Sequence, residues 1–167
     1  MKSLIASIMI LGLVGMVVGV AVQGATTDDV SATVTAQLVS VSVSDGIVEY
    51  GILALNTTED TVTLVDTQTA TNDGNVAADL SIRSSDAVGG TTWELAVSAG
   101  SDAFIHEFSI DAGVSWAAFN VDNVTYSTLV NNVAASGNQT FDLKIGTPTA
   151  STDNVEKTIT VTVQATI

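Results

Sequence analysis

The chain has 167 residues, no cysteine, one histidine, and 18 acidic against four basic side chains, for a formal charge of −14. A surface of that sign repels phosphate backbones and anionic lipid headgroups, which argues against nucleic acid as a partner. Without thiols and with one imidazole, disulfides, thiol catalysis, iron–sulfur clusters and histidine-rich metal centres have nothing to be built from.

Residues 1–24 read as an export signal. Lys2 precedes an uncharged, mostly apolar run from Leu4 to Val22, and Val22-Gln23-Gly24 offers small or modest residues for cleavage near Gly24 or Ala25. The alternative is a membrane anchor, since the 19-residue run falls between an ordinary signal and a full span. Gly12, Gly15 and Gly19 weaken such a helix toward its end and no basic stop-transfer cluster follows, so cleavage is the favoured reading. Contact with a membrane would then run only through residues 4–22, and only if they were retained. A pilin-type retained helix lacks its processing site and its inner acid. The expected location is extracellular, at the cell surface, with a mature domain over residues 25–167 large enough to bury a core.

Period-2 alternation dominates that domain. The first expected strand, over residues 33–43, changes phase. Val34, Ala36 and Leu38 share one face, and then Val39, Val41 and Val43 take the other. Such a change means a bulge, a strand crossing between sheets, or a half buried by a neighbouring subunit; the crossing strand is the simplest. Further strand-like runs follow at 48–54, 62–64, 78–83, 92–97, 104–110, 126–130 and 141–145, separated by Gly- and Asn-rich turns. The last run is the cleanest: Ile159, Val161, Val163, Ala165 and Ile167 alternate with Thr160, Thr162, Gln164 and Thr166. The expected fold is all-β, a two-sheet antiparallel sandwich of Ig-like or jelly-roll-like type, with helix confined to the leader.

Several motifs bear on chemistry. Ser109-Ile110-Asp111-Ala112-Gly113-Val114-Ser115-Trp116 fits the Asp-box pattern S-x-D-x-G-x-S-W. Asp111 can accept bonds from turn amides, Gly113 permits a positive φ, and Trp116 can fold beneath the turn. The motif resembles the repeated Asp-boxes of sialidase propellers, but one copy with a single arginine, Arg83, reads as a structural fastener. His106 lies between Phe104 and Phe108 on one strand face, where a packed histidine is the ordinary outcome. Any Ser-His-Asp triad would need it, and no G-x-S-x-G elbow is present. Oxygen donors in turns at 72–75, at Asp122-Asn123 and at Asp153-Asn154 would suit calcium, though turn chemistry accounts for them and no EF-hand loop occurs. No other cofactor is expected. Asn56, Asn123 and Asn138 begin N-x-S/T sequons.

The segment Thr69 to Ile82, containing Asn72-Asp73-Gly74-Asn75 and Leu80, resembles the N-x-G-N-x-x-x-x-L strand entry of secreted Ig-like sandwiches. Camelysin-type biofilm fibre subunits and archaeal bundling-pilus subunits are the families concerned. Where camelysins carry a Pro-Gly-Asp turn, this chain reads Leu55-Asn56-Thr57-Thr58-Glu59-Asp60. The resemblance implies a noncatalytic homopolymer, a filament or pilus-like structural protein in which one subunit's N-terminal strand completes the next subunit's sandwich. Edge-strand physics points the same way, because a supplied strand satisfies open amides. The donor candidates are Val34, Ala36, Leu38, Val39, Val41 and Val43. The alternatives are a monomeric surface module binding carbohydrate or protein, which would need exposed aromatics, and a small carboxylate-based hydrolase.

Overall fold

The structure, a computed structural model, describes residues 27–167. The expected leader lies outside the described residues. The chain divides into two compact units, Met1–Thr35 and Ala36–Ile167. In the first, residues 27–35 carry no regular secondary structure and are exposed.

The second unit is nearly all β. Its strands are β1 (Val41–Ser44), β2 (Thr58–Asp60), β3 (Gln68–Asn72), β4 (Ala78–Ser84), β5 (Glu94–Leu95), β6 (Ala103–Ser109), β7 (Ala117–Ala118), β8 (Ser127–Val133), β9 (Asn138–Gly146) and β10 (Val161–Thr166). A broad sheet runs β1-β3-β9-β6-β5, with β2 also on β9 and β7 also on β6. A narrow sheet runs β10-β4-β8. All named pairings are antiparallel except β5 with β6.

Alternation decides which residues face inward. On β4, Ala78, Leu80, Ile82 and Ser84 are buried while Asp79 is exposed. Leu80, Ile82 and Leu129 from the narrow sheet share one core with Ala70, Phe104, Phe108, Phe141, Leu143 and Ile145 from the broad one. Two sheets burying their facing sides in common is the expected layered all-β arrangement.

Four expected elements differ. The strand over 33–43 is realised only as β1, and Ala36 and Leu38 stay exposed rather than crossing into the other sheet. The run at 48–54 is not a strand, although Val48, Tyr50 and Leu53 pack against the core. Gly51, at φ 68°, breaks its pleat. The run at 62–64 is a one-turn helix, α1 (Thr61–Leu64). The Asp60 carboxylate caps it by accepting from the Thr63 N–H at 2.8 Å, and Val65 closes it at φ 58°. Three alternating residues are too few to separate a helical turn from a strand. The run at 92–97 shrinks to β5.

Candidate functional site

The narrow sheet does not cover the broad one. β10 pairs with β4 and, among the described residues, with no strand on its other side. Beside it opens a cleft of about 1110 Å³. Phe141, Leu143 and Ile145 of β9 line it, as do Val48, Tyr50 and Leu53, and Ile159, Val161 and Val163.

Hydrogen-bond alternation identifies which β10 groups face the open edge. The Ser85 N–H donates to the Thr160 carbonyl at 3.0 Å, so Thr160 and, two and four residues on, Thr162 and Gln164 turn their backbones toward β4. The N–H and C=O groups of Val161, Val163 and Ala165 therefore point to the free edge. Their side chains lie on the inner face, half-buried against the core. Among the described residues, the site thus presents a row of unpaired peptide groups next to a trough lined by these apolar side chains and also by Glu49, Asp153, Glu156 and Lys157. That is the template for another strand.

Two polar atoms in the cleft lining also lack partners among the described residues: the Tyr50 hydroxyl and His106 Nε2. Burial, and then the Asp66 carboxylate, push the Tyr50 hydroxyl well above its ordinary pKa, so it stays a neutral O–H. His106 comes from β6 and is fully buried. Its Nδ1 is 2.7 Å from the Ser84 hydroxyl of β4, tying the two sheets together. This is a serine–histidine pair without a carboxylate on the second ring nitrogen.

The donor candidates separate into two groups. Val41 and Val43 lie in β1, half-buried and packed on the core, with Val39 half-buried just before them. Val41 and Val43 are thus paired within the chain's own sheet, and Val39 lies just outside it. Val34, Ala36 and Leu38 are exposed, Val34 to 96 %. The alternation extends further back than expected: Val30, Ala32, Val34, Ala36 and Leu38 share one parity, with only Ser, Thr and Gln between them. Val30 is likewise 95 % exposed.

The Asn72–Asn75 turn holds the base of this segment. Asn72 is buried, its Nδ2 donating to the Val76 and Val133 carbonyls and its Oδ1 accepting from the Gly74 N–H. Asn75 reaches outward to the backbone of Ala36 and Leu38. The resemblance motif therefore joins the two sheets and fastens the chain at 36–40.

The Asp-box residues close their own turn with hydrogen bonds. The Ser109 hydroxyl donates to Asp111 Oδ1 at 2.7 Å, and the Ser115 N–H and hydroxyl donate to Asp111 at 2.9 and 2.6 Å. The Ser115 hydroxyl bond, followed by that from Ser109, holds the Asp111 carboxyl down to about 2. Gly113 sits at φ 79°, and a side chain there would press on Val62 and on the Trp116 ring.

The calcium candidates spend their oxygens locally. Asp122 accepts from the Val124 and Thr125 amides and from the Thr125 hydroxyl. Asp153 accepts from the Thr91 N–H at 2.5 Å and from Lys157 at 2.7 Å. Among the described residues, no three acidic or histidine side chains gather to share an ion. Of the sequons, Asn56 and Asn138 are exposed, whereas Asn123 is half-buried with its Oδ1 shut off from solvent. The aromatic rings are largely engaged: Lys144 lies over Trp116, Lys157 over Trp93 and Arg83 over Tyr126.

The groove itself was not foreseen. Its one sequence signal is that β10 alternates cleanly while the neighbouring 48–54 run is broken by Gly51. No family model, no curated protein and no solved structure matches this chain.

Proposed function

We propose that this protein is an exported, noncatalytic structural subunit with an Ig-like sandwich body. It assembles at the cell surface into a filament by donating residues 27–38 to the groove beside β10 of the next copy. The observation that carries this reading is the β10 edge, unpaired among the described residues, beside a cleft floored by apolar side chains, in a chain that also carries an exposed, alternating, uncharged segment from Val30 to Leu38.

The two surfaces are complementary in length and chemistry. Nine residues of extended donor span about 30 Å, and so do the nine residues from Ile159 to Ile167. The donor's apolar parity would fill the trough, while its Ser, Thr and Gln residues would continue the hydroxylated outer face of β10. The absence of charge between Val30 and Leu38 avoids burying an unpaired ion. The contact is heterologous, groove to tail, the type that can propagate from copy to copy into an open filament. The acidic surface elsewhere opposes random edge-to-edge association. Likeness to the camelysin-type and bundling-pilus subunits agrees with this reading. A monomeric sugar-binding module is less well supported, because the tryptophan faces are covered by lysines and the phenylalanines are buried.

Negative-stain microscopy of the purified protein tests the reading. Filaments are expected from the intact chain and monomers from a chain lacking residues 25–36. Monomers from both would remove it.

A further inference from the structure

The geometry points to Asn75 as the residue that commits the donor segment to a neighbour instead of to its own groove. This inference rests on the strand-donation reading and assigns a positioning role within it.

The Asn75 side chain imitates a strand. Its Oδ1 accepts from the Leu38 N–H at 2.8 Å, and its Nδ2 donates to the Ala36 carbonyl at 2.8 Å. In a parallel ladder, one residue's N–H and C=O reach the C=O and N–H of residues two apart on its partner. A single carboxamide reproduces that pattern here, centred on Gln37. Two backbone bonds extend it: the Asn75 N–H to the Leu38 carbonyl at 3.1 Å, and the Asp73 N–H to the Ser40 carbonyl at 3.0 Å. Gly74 permits the approach, since any Cβ there would collide with the Leu38 carbonyl. Residues 36–40 are thereby held extended, in line with β1.

That extension matters because of where the open edge begins. Thr166, the last residue of β10, lies opposite Asp79 of β4, close after the same turn. A chain emerging along β1 at this end would have to double back to lie beside its own β10. A reversal takes about four residues. With 36–38 clamped, those four must come from the segment that fills the groove. Self-insertion would then forfeit Ala36, Leu38 and part of the rest, whereas insertion into a second copy forfeits none. Asn75 therefore biases a choice between cis and trans pairing that the groove alone does not make.

The test uses Asn75→Ala, which removes both side-chain bonds, and Asn75→Asp, which keeps an acceptor but sets a carboxylate oxygen against the Ala36 carbonyl. Asn75 is exposed, so both should melt close to wild type. Loss of two ordinary hydrogen bonds should slow filament growth about tenfold. The remaining monomer should show slowed amide exchange at Val161, Val163 and Ala165, the mark of a self-filled groove. A synthetic peptide of residues 27–37, added to wild-type monomer, reads the groove independently and should protect the same amides. Wild-type growth rates in both variants, with the peptide still binding, would overturn the role of Asn75 alone. Slower growth with those amides still exchanging freely would overturn it too. No peptide binding and no wild-type filaments would overturn the strand-donation reading along with it.

Discussion

Replacing Val34 with aspartate is expected to leave the melting temperature unchanged and to stop assembly. Val34 is 96 % exposed, so the substitution removes nothing from the core. In a neighbour's groove the same position would face Phe141, Leu143 or Ile145, and the lysine that lines the cleft, Lys157, is already paired with Asp153 at 2.7 Å. Leaving a carboxylate buried and unpaired costs about 3–5 kcal/mol, which corresponds to an affinity loss of roughly 10²- to 10³-fold or more per junction. Because every junction in a filament repeats that loss, the chain should remain monomeric at concentrations where wild type polymerises. Sedimentation at matched concentrations measures it. Val34→Thr, similar in shape, should weaken assembly much less. If Val34→Asp polymerised normally, this segment would not be the donor.

The second large effect is a loss of stability on mild acidification, and it comes from one residue. His106 is the chain's only histidine. It is enclosed by Phe104 and Phe119, with ring centroids at 6.1 and 5.0 Å. Burial pulls its pKa down from 6.5 to about 3. The unfolded chain takes up a proton as pH falls through 6.5, while the folded chain refuses it until about 3. Stability is therefore complete above pH 6.5 and declines as pH drops through that window, by up to about 5 kcal/mol over its whole width. At pH 4.5 the expected loss is on the order of 2–3 kcal/mol. Denaturant unfolding of the monomeric Val34→Asp chain at pH 7 and pH 4.5 measures it, and His106→Gln should flatten the profile. An imidazole titrating near 6.5 by NMR would contradict the prediction. Through the Ser84 bond that joins the two sheets, the same residue is expected to make the body's cohesion depend on pH.

Much of the architecture could be read from residue order, because period-2 alternation is a direct statement about which side of a strand is buried. β4, β6, β8, β9 and β10 fall close to where Ala78–Arg83, Phe104–Ile110, Tyr126–Val130, Phe141–Ile145 and the terminal Thr-Val run place them. Shorter runs were ambiguous for a physical reason. Val62–Leu64 alternates like a strand, but a capping carboxylate at Asp60 and a left-handed Val65 turn it into a helix. The phase change at Leu38–Val39 was visible, yet its cause was not. The Asn75 carboxamide, 37 residues away in sequence, fastens the chain at that point. The open groove was illegible because it is defined by the lack, among the described residues, of a strand beside β10, and no residue encodes such a lack. The Asp-box was legible because all of its partners lie within eight consecutive residues.

The claim that everything else depends on is that the β10 edge stands open in the monomer and is paired in the assembly. Residue-resolved amide hydrogen exchange, before and after polymerisation, tests it most directly. Val161, Val163 and Ala165 should exchange rapidly in the monomer and slow by at least about a hundredfold on assembly, while Thr162 and Gln164, already bonded to β4, change little. Equal protection of Val161, Val163 and Ala165 in both states would contradict the account.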